Sequence, residues 1–198
     1  MRNVYNLLNE DVIIYSTCDD SYEVLKKYLV PYLADDEIEK IEKYKNETQK
    51  INEIISYTIP KIELAKKLKI NAKDIIIVRN GKNRPYYKDY KNYHYSISHS
   101  GSYVAFVLSE KNVGLDIEER QYRNMRALEY VANEKEISEC KNFDDKFALW
   151  TFKEAYSKYI GKGLSRDLIN ISRDNILELV QTIYINHLVI TLVKEKNN

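Results

Sequence analysis

Glycine and proline are scarce in this sequence, 5 and 3 among 198 residues. That scarcity excludes collagen-like and low-complexity chains. It also leaves little room for glycine-rich phosphate loops, and neither GxGxxG nor GxxxxGK occurs. Cysteine is limited to Cys18 and Cys140 with no CxxC pair, a pattern that points away from zinc ribbons and disulfide frameworks and toward buried thiols in a reducing compartment. No run approaches the roughly 20 apolar residues of a membrane span. Glu10 and Asp11 fall where a signal peptide needs an apolar stretch. Charge of one sign is lacking too, with 31 Lys and Arg against 30 Asp and Glu. The expectation is a cytoplasmic protein with neither membrane nor nucleic acid among its partners.

What is present describes an ordinary globular chain, 44% hydrophobic and 31% charged, long enough to bury a real core. The charges are unevenly spread. Residues 61–94 hold ten Lys and Arg against three Asp and Glu. Such a block is either a solvated helix face or a grip for an anion.

The spacing predicts a strand over 10–16, helices over 21–29, 34–44 and 47–68, and a strand over 74–79. Pro60 is expected to kink or divide the third helix. Period-two alternation from 93 to 98, followed by Val104–Leu108 and Val113–Ile117, predicts a strand meander. Residues 125–140 read as helical and 144–160 as a helix closed by Gly161. Strand patterning returns at 168–172 and 183–193. Helices followed by strands occur twice, which suggests two α+β halves, 1–110 and 111–198.

Three features carry potential chemistry. In Val113-Gly114-Leu115-Asp116-Ile117-Glu118 the two acids fall on one face of a strand and the apolar residues on the other. Two like charges about 7 Å apart along a strand suit a hard cation such as Mg²⁺ (or Mn²⁺); the alternative is an exposed face with two solvated acids. In Leu149-Trp150-Thr151-Phe152-Lys153-Glu154-Ala155-Tyr156-Ser157-Lys158, Phe147, Trp150, Glu154 and Lys158 share a helical stripe. That stripe brings a third carboxylate, or forms a plain i,i+4 ion pair. Finally, Arg84-Pro85 and Ser98-His99-Ser100 supply a fixed cation, hydroxyls and an imidazole suited to phosphate. Ser98 and His99 are neighbours on a strand, so they face opposite sides and cannot form a nucleophile–base pair. The same acids and lysines would also suit a Mg²⁺-dependent nuclease or phosphodiesterase, and a silent binding module is a further alternative.

In order, the strings GKNRPYY, YSISHSG, GLDIEE and LWTFKEAYSKYIGKGLS closely resemble the Sfp-type 4'-phosphopantetheinyl transferases. Gly114, Asp116 and Glu118 match that family's GxDxE strand. Trp150, Lys153, Glu154 and Ala155 match its WxxKEA helix, Ser98-His99-Ser100 its SHS element, and Arg84-Pro85 stands where Lys-Pro is common. The resemblance implies an α+β pseudo-dimer of two similar halves with coenzyme A in the cleft between them. It implies transfer of the phosphopantetheine arm to a serine of an acyl, peptidyl or aryl carrier protein, by a monomer. By the same resemblance Asp116, Glu118 and Glu154 would hold Mg²⁺, Asp116, Glu154 and Lys158 would be catalytic, and Arg84, Ser98, His99, Lys153 and Lys158 would bind coenzyme A. Lys66, Lys67, Lys69 and Lys73 are candidates for steering an acidic carrier.

Overall fold

The computed structural model describes residues 2–81, 84–120 and 126–196. The chain opens with a hairpin, β1 (Arg2–Leu7) and β2 (Glu10–Ser16). Its turn residues Leu8 and Asn9 both have positive φ, 51° and 62°, the geometry of a tight hairpin turn. The Asn-Gly signal is absent, and β1 has no regular apolar alternation and is largely exposed, so the sequence pattern did not announce this strand. Tertiary bonds hold the turn instead: Leu8 N–H donates to Gln181 Oε1 and Lys194 Nζ to the Leu8 carbonyl.

Three helices follow, α1 (Tyr22–Leu29), α2 (Asp35–Glu42) and α3 (Glu47–Leu68). Asn46 caps α3 by accepting from the Gln49 N–H at 3.1 Å. Ile51, Ile54, Ile55 and Ile59 give α3 its buried stripe. Pro60 does not divide it. Two short strands, β3 (Ile77–Arg79) and β4 (Pro85–Tyr87), precede the hairpin β5 (His94–Ser100) and β6 (Tyr103–Ser109). The second half starts at β7 (Val113–Glu119) and continues through α4 (Leu128–Val131), α5 (Glu134–Glu139) and α6 (Phe143–Ile160). It ends in the hairpin β8 (Leu179–Ile185) and β9 (Leu188–Lys194).

The sheet orders are β1-β2-β6-β5 and β7-β9-β8, every pairing antiparallel. Setting aside β1 and the separate two-stranded pair β3–β4, each half runs strand, helices, hairpin, and its three strands lie in the order first, third, second. The α+β fold of two similar halves thus rests on a repeated topology with no repeated sequence. The two sheets share one core. Val12, Ile14, Ala105 and Val107 of the first half pack with Leu115, Ile117, Ile190 and Leu192 of the second. Each sheet's other face is covered by the long helix of its own half: α3 against Ile13, Val104 and Phe106, and α6 against Val193.

Several local expectations change. The strand expected over 168–172 is a 3-10 turn, Arg166–Asn170, because a buried lysine described below takes its carbonyls. The strand expected over 74–79 is reduced to β3 by a turn at Ala72–Asp74, capped by the Asn71 side chain. Within 183–193 the chain reverses at Asn186 (φ 51°) and makes a hairpin. Cys18 is exposed and Cys140 half-buried, so neither thiol is the buried apolar group expected of it.

Gly114 shows how tightly the second half is packed. A Cβ there would lie 2.0 Å from the Ala155 carbonyl oxygen and 2.5 Å from the Tyr159 nitrogen, so α6 rests directly on the β7 backbone. Gly114→Ala is expected to cost about 1–3 kcal/mol or more through overpacking, read as a lower urea midpoint. An unchanged midpoint would mean that the helix does not lie this close to the strand.

Candidate active site

The site is built on β5, β7 and α6. Ser96, Ser98 and Ser100 alternate along β5 and so share one face, which lies against β7. Ser96 Oγ accepts the Leu115 N–H at 2.9 Å, Ser98 Oγ donates to Asp116 Oδ1 at 2.7 Å, and Ser100 Oγ donates to Glu118 Oε2 at 2.8 Å and accepts the Glu119 N–H at 3.0 Å. Strands of two different sheets are therefore stitched by small hydroxyls in place of a ladder, and the two acids of β7 are drawn to that seam.

Asp116 is only 4% exposed. Lys158, from α6, reaches its Oδ1 at 2.8 Å and the Ser98 hydroxyl at 2.7 Å. The other oxygen, Oδ2, is buried without a hydrogen-bond partner. Burial pushes the Asp116 carboxyl above the usual carboxylate range, against the pull of the Lys158 ammonium, and Glu118 adds to the upward push. Glu118 accepts the Trp150 indole N–H at 2.7 Å. Trp150 is half-buried, so besides packing it aims a carboxylate, a role its place on the aromatic stripe did not reveal. Glu154, half-buried, lies one turn before Lys158 on α6. Among the described residues no three His, Cys, Asp or Glu side chains are gathered closely enough to hold a metal ion.

His99 points the other way from Ser98, as adjacent strand residues must, and lines a cavity of about 750 Å³, a size typical of ligand sites. Its imidazole is held below the usual histidine range by burial, with Glu53 opposing and the Lys158 charge reinforcing that shift. Lys73 and Arg79 bring positive charge to the cavity wall, where Lys40 is paired with Asp36 at 2.9 Å, while Tyr57, Tyr95 and Ile97 bring apolar surface. Lys158 lines the same cavity and so links it to Asp116.

The basic block therefore divides. Lys73, Arg79 and Arg84 face the cavity. Lys61 is buried, donating to the Tyr32 carbonyl at 2.7 Å and to Glu37 at 3.1 Å. Lys66 pairs with Glu63 and Lys67 with Glu110 on the surface.

Two residues expected at the cofactor are otherwise engaged. Lys153 is fully buried and is not among the residues that line the cavity. Its Nζ donates to both oxygens of Glu136 at 2.8 Å, to the Leu168 carbonyl at 2.9 Å and to the Ile171 carbonyl. Arg84 lines the cavity, but its terminal nitrogens reach Tyr159 O at 2.9 Å and Asn112 Oδ1 at 2.6 Å. Asn83, its neighbour in the GKNRPYY string, lies outside the described residues.

Residues 112–193 match the family model of the 4'-phosphopantetheinyl transferase superfamily, and residues 22–111 match the model for the 4'-phosphopantetheinyl transferase N-terminal region. The chain belongs to the 4'-phosphopantetheinyl transferase superfamily. It is 25% identical over 150 residues to the 4'-phosphopantetheinyl transferase ffp of Bacillus subtilis, covering 73% of this chain and 67% of that protein. Identity to the 4'-phosphopantetheinyl transferase Sfp of B. subtilis strain 168 is 22% over 147 residues, 71% of this chain and 66% of the relative. Identity to the 4'-phosphopantetheinyl transferase gsp of Aneurinibacillus migulanus is 34% over 103 residues, 49% and 43% of the two chains. The matched stretches thus span two thirds or less of most of these relatives' lengths. The boundary between the two matched regions falls at the crossover from β6 to β7, where the topological repeat begins.

For a phosphopantetheinyl transferase of this architecture, sequence reading reached Ser98, Asp116, Glu118, Trp150 and Lys158, which the fold brings together. It missed Ser96 and Ser100 as stitches, Asn112 at the crossover, and Glu136 as the partner of Lys153. Only the alternation of the three serines was a usable signal.

Proposed function

We propose that this protein moves the 4'-phosphopantetheine arm of coenzyme A to the hydroxyl of a serine on an apo carrier protein of the acyl, peptidyl or aryl type. The observation that carries this reading is a buried carboxylate with one unpartnered oxygen, Asp116 Oδ2, joined through Lys158 to a cavity with cationic and apolar walls. Membership of a transferase superfamily leaves the nuclease reading without an observation of its own.

In the reaction the carrier serine oxygen forms a bond to the phosphorus bearing the pantetheine arm. The bond from that phosphorus to the bridging oxygen breaks, and adenosine 3',5'-bisphosphate leaves with the electron pair. The serine proton passes to Glu154, directly or through water. Lys158 and His99 offer hydrogen bonds and charge to the phosphates. The orphaned Asp116 oxygen, and Glu118 on the same face of β7, suit a hard cation, and Asp116, Glu118 and Glu154 would be its ligands once drawn closer together than they stand here. Bound there, Mg²⁺ would neutralise diphosphate charge as the leaving group departs.

Incubation with coenzyme A, Mg²⁺ and an apo carrier protein is expected to add one phosphopantetheine to the carrier, read by intact mass. No mass gain on acyl, peptidyl or aryl carriers would overturn the proposal. His99→Ala is expected to raise KM for coenzyme A about tenfold with kcat changed less, because phosphates are held in ground and transition states alike. An unchanged KM with a large loss of kcat would place His99 in the chemical step.

A further inference from the structure

Arg84 belongs to the first half, in the segment entering β4, yet its guanidinium reaches into the second. Its Nη1 donates to the Tyr159 carbonyl at 2.9 Å, and its Nη2 donates to Asn112 Oδ1 at 2.6 Å and approaches the Val113 carbonyl at 3.4 Å. Asn112 Nδ2 donates to the same Tyr159 carbonyl at 3.0 Å.

Tyr159 lies in the last turn of α6, where carbonyls lose their intrahelical partners. Gly161, with φ 65°, closes that end. Its N–H goes to Lys158 O and the Lys162 N–H to Ser157 O, the left-handed closure common at helix ends. The Tyr159 carbonyl is left to side chains, and a cation at the negative end of the helix dipole is favourable. Gly161 also makes room for the arginine, since a Cβ there would lie 2.9 Å from Arg84 Cδ.

The two segments joined are the ones that carry the site. Lys158 directly precedes Tyr159, Asp116 lies three residues beyond Val113, and Lys158 and Asp116 meet at 2.8 Å. A shift of the α6 end relative to the start of β7 would pass straight into that contact.

We infer that Arg84 and Asn112 are positioning residues: across the two halves they cap the C-terminal end of α6, fix it on the start of β7, and so hold Lys158 in register with Asp116 and Ser98. Arg84 thus differs from the phosphate ligand that its sequence context suggests. Asn112, which carries no charge, does half of the same work. Burial holds the Arg84 pKa below the usual arginine value, consistent with a guanidinium that faces carbonyls and an amide.

The inference rests on the transfer activity proposed above, so its test has two arms. In the first, amide hydrogen exchange is measured on the full chain. Arg84→Ala and Asn112→Ala are each expected to speed exchange in the last turn of α6 at least tenfold, with exchange in α3 unchanged. This readout needs no activity, and unchanged exchange at that turn overturns the latch even if no transfer is detected. In the second arm, steady-state kinetics are run below the melting temperature of every variant. Both single variants are expected to lose at least tenfold in kcat, with KM for coenzyme A within threefold of wild type. The double variant should fall no more than threefold below the worse single one, because the two side chains act as a unit. Arg84→Lys should recover part of the loss, having one ammonium for one carbonyl. A raised KM with normal kcat in Arg84→Ala, alongside a silent Asn112→Ala, would overturn the inference and return Arg84 to the phosphates. Absence of transfer in the wild type would instead overturn the functional proposal, leaving exchange to decide the latch.

Discussion

Asp116→Asn is expected to abolish transfer, by at least a thousandfold, while the protein melts at or above the wild-type temperature. Loss of activity follows from the proposed role: an amide cannot supply the anionic oxygens that a hard cation requires. Stability moves the other way because the carboxylate is held at a cost. It is 4% exposed with one oxygen unpartnered, and burial is the largest influence on its pKa, which is raised. A carboxyl whose pKa is higher in the folded state binds its proton more tightly folded than unfolded. Stability therefore falls as pH rises from the ordinary carboxylate value through the raised one. The substitution removes that fall, so the gap in stability between variant and wild type should widen from pH 4 upward and then level off. Lys158 loses a partner, but its side chain is 29% exposed, so water takes over part of its solvation. Circular dichroism melts across pH, paired with the transfer assay, check both halves. Near-normal turnover at saturating Mg²⁺ would falsify the metal role, and a steep drop in melting temperature would show that the Lys158–Asp116 pair is needed for the fold.

Lys153→Ala is expected to lose about 3–5 kcal/mol of stability, the usual cost of removing one partner from a buried ion pair. The lysine side chain is 0% exposed and that of Glu136 10%. Its ammonium is also the donor for the carbonyls of Leu168 and Ile171. Glu136 in turn closes the capping box of α5 with Asn133, and Asn133 Nδ2 donates to Ile169 O at 3.1 Å. One substitution therefore leaves a carboxylate and two carbonyls short of a donor and loosens three segments from α6. Replacing both members at once, Lys153→Met with Glu136→Leu, should recover much of the loss, because no unpaired charge then remains. Urea denaturation of the single and double variants measures this. Should Lys153→Ala melt like wild type while KM for coenzyme A rises, the lysine would belong to the ligand after all.

The sequence by itself determined the elements whose signals are local, and the strip of chemistry they carry. Isoleucine spacing set α3, alternation set β5 and β7, Gly161 marked the end of α6, and the GLDIEE and WTFKEA strings placed two acids on a strand face and a third on a helix. Each of these depends on neighbours within a few residues, which a linear pattern records. What the chain's lysines and arginines do was decided only by the tertiary structure. Lys153 and Lys158 are five residues apart on one helix, yet the first is sealed in a knot with Glu136 and the second opens onto a cavity, because the Lys153 side chain reaches α5 and the Leu168 carbonyl while the Lys158 side chain reaches Ser98 of β5 and Asp116 of β7. Arg84 and Asn112 are 28 residues apart and converge on one carbonyl. The turn between β1 and β2 is held by Gln181 and Lys194, from more than 170 residues further along the chain. A charge's partner is fixed by which elements pack together, and that information lies in the folded arrangement, not in any window of sequence.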